Sequence, residues 1–325
     1  MGCVTEPRRV ARKGVLLAST SLIALSIASS EGRTQSAQST QPPPPAAGAP
    51  QGQWSTWSEA GLTGHPATDP AIGLPPFGPY ANLGPGVGWT AATGFDYRPA
   101  LSPYLFSGQF RYNPNYGASA PPSSPAATYT GVASLNREAL WLIDVAVGLG
   151  LGNTQVKLGS RIVQLASPAN ASAAAIIFEP NPVPADISFQ SRSQFFGAGP
   201  QLSIDGSAPL GNSWAFDYFG GFALLLGNRS LNATQVLSST NVTLLPSSVN
   251  TLTSSSTVGV PNLEVQAGIS YWFSPNFKLT VSYRFDGYWN ALTVIESNGQ
   301  LQPNAHLAQQ SQYYYGPVLR GTIAF

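Results

Sequence analysis

Charged side chains at alternate positions of apolar segments are the residues of this sequence best suited to chemistry. In segment 277–288, Lys278 and Arg284 fall on one parity, while Val281 and Phe285 fall on the other. Successive residues of a β-strand point to opposite faces, so this spacing collects the charges on one face. Inside a closed sheet, such a face can select ions or can pair its charges and shut the lumen. The residues predicted to line a pore in this way are Asp96, Arg111, Asp144, Lys157, Arg161, Asp205, Asp217, Glu264, Lys278, Arg284, Asp286 and Arg320.

The two histidines, His65 and His306, are the candidates for acid–base or metal chemistry. If the first and last strands are neighbours, both histidines could meet at one rim near Asp69 or Glu296, as a protease-like or metal site requires. The alternative is two exposed loop histidines among Pro, Asn and Gln residues. We favour the alternative and predict no catalytic residue, no metal site, no cofactor and no enzymatic activity.

Ten segments that alternate apolar and polar residues must position these side chains. Long connections rich in Pro, Ser, Asn and Thr alternate with short ones that contain Gly, Pro and Asn, which is the layout of an outer-membrane barrel. The strands are predicted at about 53–64, 86–98, 103–112, 136–150, 154–166, 193–207, 213–226, 262–273, 277–288 and 312–325. The long loops are predicted at 65–85, 113–135, 167–192, 227–261 and 289–311. The short turns are predicted at 99–102, 151–153, 208–212 and 274–276.

The last of these segments carries aromatic residues at both ends of its apolar face and stops on Phe325. Such rings suit the two headgroup levels of a bilayer, and a terminal Phe resembles the C-terminal signature of outer-membrane barrels. An edge strand of a soluble sandwich is the alternative for this stretch alone. The predicted membrane-interface aromatics are Tyr97, Tyr104, Trp141, Trp214, Tyr313, Tyr315 and Phe325.

Composition agrees with an all-β transmembrane, antiparallel, up-and-down barrel of about ten strands, with short periplasmic turns and long extracellular loops. Charged residues make up 9% of the chain, against roughly 25% in soluble domains. No apolar run reaches the ~20 residues of a membrane helix. A net charge of +1 without a basic run argues against nucleic acid as a partner.

The N-terminal region predicts export. Residues 1–30 combine basic residues, an apolar run and small residues, as in a secretory signal peptide. Residues 31–52 form a Pro/Ser/Gln-rich stretch, interpreted as a periplasmic leader, and 53–325 as the barrel. The one cysteine, Cys3, lies in the predicted signal peptide, so the exported chain is expected to have no disulfide.

Four stretches in the second half of the chain are more specific than strand alternation. They are WLIDVAVGLGLGNTQVKLGSR at 141–161, the G-P-x-L and P-L-G-N pair within 199–226, the segment 261–290 with its turn W-F-S-P-N, and the closing YYGPVLRGTIAF. Together they resemble the Legionella-type major outer membrane protein family of pore-forming barrels over most of 139–325. The resemblance implies an outer-membrane pore or surface protein and offers no catalytic residues. The chain departs from the family before residue 100 and lacks the cysteines of its disulfide-linked members.

The leading hypothesis is therefore a porin-like barrel that passes ions or small hydrophilic solutes. Small residues on the inward faces, such as Gly88, Gly94, Gly199 and Gly268, are expected to leave room in the lumen. The competing hypothesis is a non-conducting surface barrel, an adhesin or structural protein, whose inward charges pair across the lumen. A loop at 227–261 would constrict a pore if folded inward and favour adhesion if it projects outward. Expected partners are outer-membrane lipid and lipopolysaccharide, the barrel-assembly machinery through the C-terminal strand, and small hydrophilic solutes, with a homo-oligomer left open.

Overall fold

The computed structural model describes residues 52–65, 86–117, 127–177, 182–239, 246–296 and 306–325. The predicted signal peptide, nearly all of the predicted leader and Asp69 lie outside the described residues. No helix in the described part of the chain is long and apolar enough to span a bilayer.

Ten antiparallel strands close into one barrel, in which each strand pairs with its neighbours in sequence and β1 pairs with β10. The predicted fold class and strand number are confirmed. The strands are β1 Gln53–His65, β2 Gly86–Arg98, β3 Tyr104–Gly117, β4 Ala127–Leu151, β5 Thr154–Ile177, β6 Val183–Gly211, β7 Trp214–Ser239, β8 Ser248–Ser274, β9 Phe277–Glu296 and β10 His306–Ala324.

The two faces of the wall are inverted relative to a water-soluble protein. In β7, Leu224 and Leu226 are 50% and 66% exposed, while Leu225 between them is fully buried. In β9, Val281 is exposed and Arg284 is buried. Apolar side chains on the outer face and polar ones inside are expected when the solvent around the wall is lipid.

Strand length divides the wall into a short and a long part. Strands β1 to β3 have 13 or 14 residues, whereas β4 to β8 have 24 to 29. The 29 residues of β6 measure roughly 95 Å at ~3.3 Å per residue, far more than the ~25 Å apolar band of a membrane barrel. The long strands therefore continue well beyond the bilayer on the extracellular side.

The prediction of long loops at 167–192 and 227–261 was wrong for most of their residues. Strands β5 and β6 pair from Thr154 to Ile177, and β7 and β8 remain paired up to Leu237 and Ser248. Outside lipid neither face has to be apolar, so these Ser/Thr-rich strands lose the alternation by which the membrane-spanning parts are recognised. The predicted loops 113–135 and 289–311 also contain strand, namely the ends of β3, β4, β9 and β10.

The turns at the opposite end are short, as predicted, and the largest displacement of a boundary is at the end of β6. β6 continues through the predicted turn 208–212 as far as Gly211, and the turn itself consists of Asn212 and Ser213. A register shift between Pro209 and Gly211 accommodates the proline, which cannot donate to the ladder.

The upper end of β9 leaves the wall and enters the barrel mouth. Pairing between β8 and β9 stops at Asn262 and Tyr288, and Asn290 adopts a positive φ of 56°. Beyond this bend, Ala291–Ile295 is buried on both parities, and the Thr293 amide donates to Ser193 Oγ of β6 at 3.1 Å. We call Ala291–Ile295 the β9 arm; it lies against the inner faces of β6 and β7 and still pairs with β10.

Candidate functional site

A buried network of charges crosses the lumen near the middle of the barrel. Glu264 of β8 contacts three guanidinium groups: Arg111 of β3, Arg161 of β5 at 2.7 Å and Arg284 of β9 at 3.3 Å. In the ring of ten strands, β3 and β8 are separated by five steps in either direction. The Arg111–Glu264 ion pair therefore joins opposite walls.

Further carboxylates complete this network. Asp144 accepts two hydrogen bonds from Arg161, at 2.6 and 2.8 Å, and Asp286 contacts Arg111 at 3.1 Å. Glu59 of β1 contacts Arg284 at 2.5 Å. The side chains are at most 7% exposed. We call this set the charge belt: Glu59, Arg111, Asp144, Arg161, Glu264, Arg284 and Asp286.

Neutral polar side chains add hydrogen bonds to the charge belt. Asn262 accepts from Arg161 at 2.6 Å and donates to Asp286 at 2.7 Å, and Tyr288 donates its hydroxyl to Asp286 at 3.0 Å. Buried charges persist only when paired and hydrogen-bonded. Every charged group of the belt has an ion-pair partner, and the partners come from β1, β3, β4, β5, β8 and β9, so the belt ties strands around most of the ring together.

Above the charge belt the lumen holds a cluster of apolar side chains, beside buried polar ones such as Thr90 and Asn113, which are hydrogen-bonded to each other. Phe195, Leu225 and Val260 are fully buried, and the β9 arm adds Ala291 and Leu292. We call this cluster the apolar plug: Leu140, Leu142, Val163, Leu165, Phe195, Ala223, Leu225, Val260, Tyr288, Ala291, Leu292 and Tyr314.

Below the charge belt the lumen stays open. A cavity of about 360 Å³ is lined by ion pairs, amides and aromatic rings, and we call it the periplasmic chamber. Lys157 bridges Asp96 at 3.1 Å and Asp205 at 3.0 Å, and Lys278 contacts Asp217 at 2.8 Å. These groups are 11 to 27% exposed, so they face water.

All twelve side chains predicted to line a pore lie inside the barrel, at two levels. Six belong to the charge belt: Arg111, Asp144, Arg161, Glu264, Arg284 and Asp286. The other six line or border the periplasmic chamber: Asp96, Lys157, Asp205, Asp217, Lys278 and Arg320. Their role in conduction stays a prediction, because the belt pairs its charges across the lumen.

The inward glycines do not leave room in the lumen, contrary to expectation. A side chain on Gly94 would meet the Trp57 ring at 2.5 Å, and one on Gly268 would meet Ser282 at 2.5 Å. At Gly199 it would collide with the Leu224 carbonyl of the next strand. Neighbouring strands already occupy these spaces, so the glycines permit close approach of the walls.

The predicted interface aromatics lie at the two ends of the outer face. At the periplasmic end, Tyr97 stacks on Trp54 at 4.2 Å, and Trp214 meets Tyr271 edge-on at 4.9 Å. Tyr104 and Phe325 are exposed at the same end, and the Phe325 amide closes the barrel by donating to the Trp54 carbonyl.

At the extracellular end, Trp141 lies 6.1 Å from Phe196 and donates to Gln164 at 2.7 Å. Tyr313 stacks on Phe285 at 6.0 Å, and Tyr315 is 36% exposed. The contact of all these rings with lipid headgroups stays a prediction.

The two histidines do not meet, which argues against the less favoured of the two interpretations, a shared site at the rim. Gly64 pairs with Tyr315 across β1 and β10, whereas His306 pairs with Glu296. His65 thus stands eight residues from His306 along β10, roughly 26 Å at ~3.3 Å per residue. Within the described residues, no group of three or more His, Cys, Asp or Glu side chains is arranged to hold a metal ion.

Sequence reasoning missed the apolar plug and the amides of the charge belt. A signal for the plug was present, because Leu140–Ile143 and Phe222–Leu226 are continuous apolar runs in which both parities are apolar. Such runs indicate burial on both faces. The amides Asn262 and Gln201 carried no distinguishing pattern.

Known proteins with related sequences or folds include one family and several solved barrels. The family model described as Legionella pneumophila major outer membrane protein precursor matches residues 151–325. No curated protein matches the chain. The outer membrane protease OmpT of Escherichia coli is 10% identical with a TM-score of 0.45, over 85% of this chain and 98% of that chain.

Two toluene transporters are also similar in fold. TodX of P. putida is 10% identical with a TM-score of 0.35, over 85% of this chain and 91% of that chain. TbuX of Ralstonia pickettii is 11% identical with a TM-score of 0.36, over 85% of this chain and 90% of that chain. Since the family match spans β5 to β10 and more than half of the 325 residues, the chain belongs to the Legionella pneumophila major outer membrane protein family and resides in the outer membrane.

Proposed function

We propose that this protein is a closed outer-membrane barrel whose function lies at the cell surface, as an adhesin or structural protein, and that it does not conduct solutes. The observation that carries the proposal is the Arg111–Glu264 ion pair, which joins opposite walls within the charge belt. The apolar plug lies in the lumen immediately above it and supports the same conclusion. An ion that passed through the lumen would have to cross both the charge belt and the apolar plug.

Opening such a lumen is energetically unfavourable. Separating one partner of a buried ion pair costs about 3–5 kcal/mol, and Glu264 alone contacts three arginines. Exposing the plug to water would add the hydration of fully buried leucine and phenylalanine side chains, each worth about 1.5–3 kcal/mol. These costs support a barrel that stays shut at rest.

The extracellular part of the chain supports a role at the surface. Strands β4 to β8 continue far above the bilayer, and the β7–β8 hairpin remains paired up to Leu237 and Ser248. The predicted loop 227–261 thus projects outward, which is the arrangement expected for adhesion. No charged residue occurs in 231–263, so this surface would recognise a partner through hydroxyl and amide groups.

A passive pore for small hydrophilic solutes is the second candidate. One observation favours it: the periplasmic chamber is open and lined by charges, as the lower half of a channel would be. In this candidate the β9 arm would have to swing out of the mouth and the charge belt would have to rearrange.

The outer face and the C-terminus carry the proposed lipid and assembly contacts. We expect the aromatic rings at both ends to contact lipid headgroups and lipopolysaccharide. Phe325 is 75% exposed although its amide pairs with β1. The side chain thus remains available to the barrel-assembly machinery.

Single-channel recording in a planar bilayer separates the two candidates. Folded wild-type protein, verified by its heat-dependent shift on a denaturing gel, is expected to give no current steps. A variant that opens both layers, Arg111→Ala with Leu292→Ser and Ile295→Ser, is expected to conduct.

The pore candidate makes the opposite prediction for the wild-type protein. Discrete steps from wild-type protein would overturn the closed barrel, and a change of ion preference in Lys278→Glu with Arg284→Glu would assign the pore lining. The variant Asp186→Asn, whose exposed side chain lies on the extension of β6, serves as the control and should behave like the wild type.

A further inference from the structure

We propose that the periplasmic chamber is a binding site for a small, neutral, hydroxyl-rich solute of about monosaccharide size, which enters from the periplasm. This inference goes beyond the surface function and does not depend on it, because the chamber lies below a closed charge belt.

The chamber has the size and shape of a ligand site. Its volume of about 360 Å³ falls within the ~300–1,000 Å³ of small-molecule pockets and would hold roughly a dozen waters. It shares Asn153, Gln155, Ser207 and Trp272 with a second cavity of about 580 Å³ among the short turns. The second cavity therefore adjoins the chamber on its periplasmic side, whereas the charge belt lies at the other end.

A buried amide in the chamber has an unused acceptor. Gln201 is 4% exposed, and its Nε2 donates to Asp144 at 3.3 Å, which fixes the orientation of the amide. Its Oε1 accepts no hydrogen bond from any described residue, and the same is true of Gln155 Oε1. Both residues line the chamber, and an unmet buried acceptor costs about 1–3 kcal/mol, so a ligand donor that reached either atom after a small side-chain rotation would remove that cost.

Unused donors lie in the same chamber. The Lys278 ammonium carries three N–H groups and contacts Asp217 at 2.8 Å as its one carboxylate partner among the described residues. It is 16% exposed and also stands over the Trp272 ring at 5.5 Å. Donors and acceptors are thus both available, and a hydroxyl group is the ligand group that can use both.

The charges of the chamber argue against an ionic ligand. Lys157 is already held between Asp96 and Asp205, and Lys278 is held by Asp217. An anion that approached either ammonium would be repelled by the carboxylate already paired with it, and a cation would be repelled by the ammonium, whereas neutral hydroxyls can add to both. The amides, carboxylates and indole rings that line the cavity are also the groups that bind sugars through planar hydrogen bonds and apolar faces.

Indole fluorescence provides a direct test, because Trp57 and Trp272 line the chamber. We would titrate the full-length protein, folded in detergent, with D-glucose, and in parallel with methylammonium chloride and with sodium phosphate. The expected result is a saturable change with D-glucose alone. The affinity should fall roughly tenfold in Gln201→Leu, which loses the acceptor and one hydrogen bond, and stay unchanged in Gln190→Leu, an exposed glutamine on the same strand.

Cysteine protection supplies a readout that does not depend on fluorescence. The predicted exported chain has no cysteine, so Ser203→Cys, on the chamber wall, can be labelled with a small methanethiosulfonate reagent. D-glucose should slow labelling of Ser203→Cys and leave labelling of Thr253→Cys, on the exposed extension, unchanged. The proposal is overturned by an unsaturable response to D-glucose, by equal affinity in Gln201→Leu and Gln190→Leu, by preferred binding of either ion, or by labelling that D-glucose does not slow.

Discussion

The two halves of the lumen share one barrel wall and differ in what their inner faces carry. Below the charge belt the inward residues are Lys, Asp, Gln and Ser, and a cavity of about 360 Å³ remains. Above it Leu, Val, Phe and Tyr form a cluster in which side chains such as Leu165 and Phe195 are fully buried, beside buried hydroxyls and amides such as Thr90 and Asn113. The outer face does not change at this boundary, since Ile162, Val145 and Val281 are all exposed.

The difference gives the proposed closure of this barrel two components. The charge belt alone would leave polar groups facing water on both sides, and water would compete for its hydrogen bonds. The apolar plug excludes water from the upper side of the belt, which strengthens the electrostatic attraction there. The charge belt in turn forms the lower boundary of the apolar region, so water can occupy the periplasmic chamber below it.

Removing the carboxylate at the boundary should have the largest effect. Glu264→Gln keeps the size of the side chain but leaves Arg111, Arg161 and Arg284 without their shared partner. Loss of one partner of a buried network costs about 3–5 kcal/mol. The free energy of unfolding, measured by urea titration in detergent micelles, should fall by that amount.

The matched control for this variant is Asp186→Asn. Asp186 is exposed on the extension of β6, so its change should lower the unfolding free energy by less than about 0.5 kcal/mol. If Glu264→Gln cost no more than the control, the charge belt would not be the element that stabilises the boundary between the two halves.

Substitutions of two adjacent leucines should differ in their cost to stability, because one side chain faces the upper lumen and the other faces lipid. Leu225→Ala removes a fully buried side chain of the apolar plug and should cost about 2–5 kcal/mol, because a cavity remains. Leu224→Ala removes a side chain that is 50% exposed on the lipid side, where lipid refills the space, so its cost should be clearly smaller. The same urea titration measures both, and equal costs would mean that the plug is loosely packed.

The outer face of the barrel wall was predictable from the sequence, and the inner face only in part. Lipid imposes a strict period of two on the outer face, so ten strands and the inward position of charges such as Arg284 followed from alternation alone. The apolar runs at Leu140–Ile143 and Phe222–Leu226 also indicate the apolar plug, because both of their parities are apolar. The parity that faces lipid is by itself enough to predict a membrane strand, so it hides the signal of the buried parity.

The partners across the lumen could not be predicted. Arg111 and Glu264 are 153 residues apart in sequence, and their meeting depends on the ring size, the stagger of the strands and the bend at Asn290. The β9 arm likewise depends on tertiary contacts such as Thr293 with Ser193. The ends of the long strands were missed because outside lipid no alternation is required.

The smallest effect is expected in the lower half, and it tests whether that half is wet. Lys278 and Asp217 contact each other at 2.8 Å but are 16% and 19% exposed, and Asp217 also accepts hydrogen bonds from Thr280 and Ser207. Lys278→Met should therefore cost only about 0.2–1 kcal/mol, because water can solvate the remaining carboxylate.

The stability difference between Lys278→Met and wild type should also shrink as sodium chloride is raised, since salt screens hydrated charges and hardly affects buried ones. Glu264→Gln, measured in the same titrations, should keep its full cost at high salt. A cost for Lys278→Met as large as that of Glu264→Gln, or one that salt leaves unchanged, would mean that the chamber is as dry as the charge belt and that the two halves do not differ in hydration.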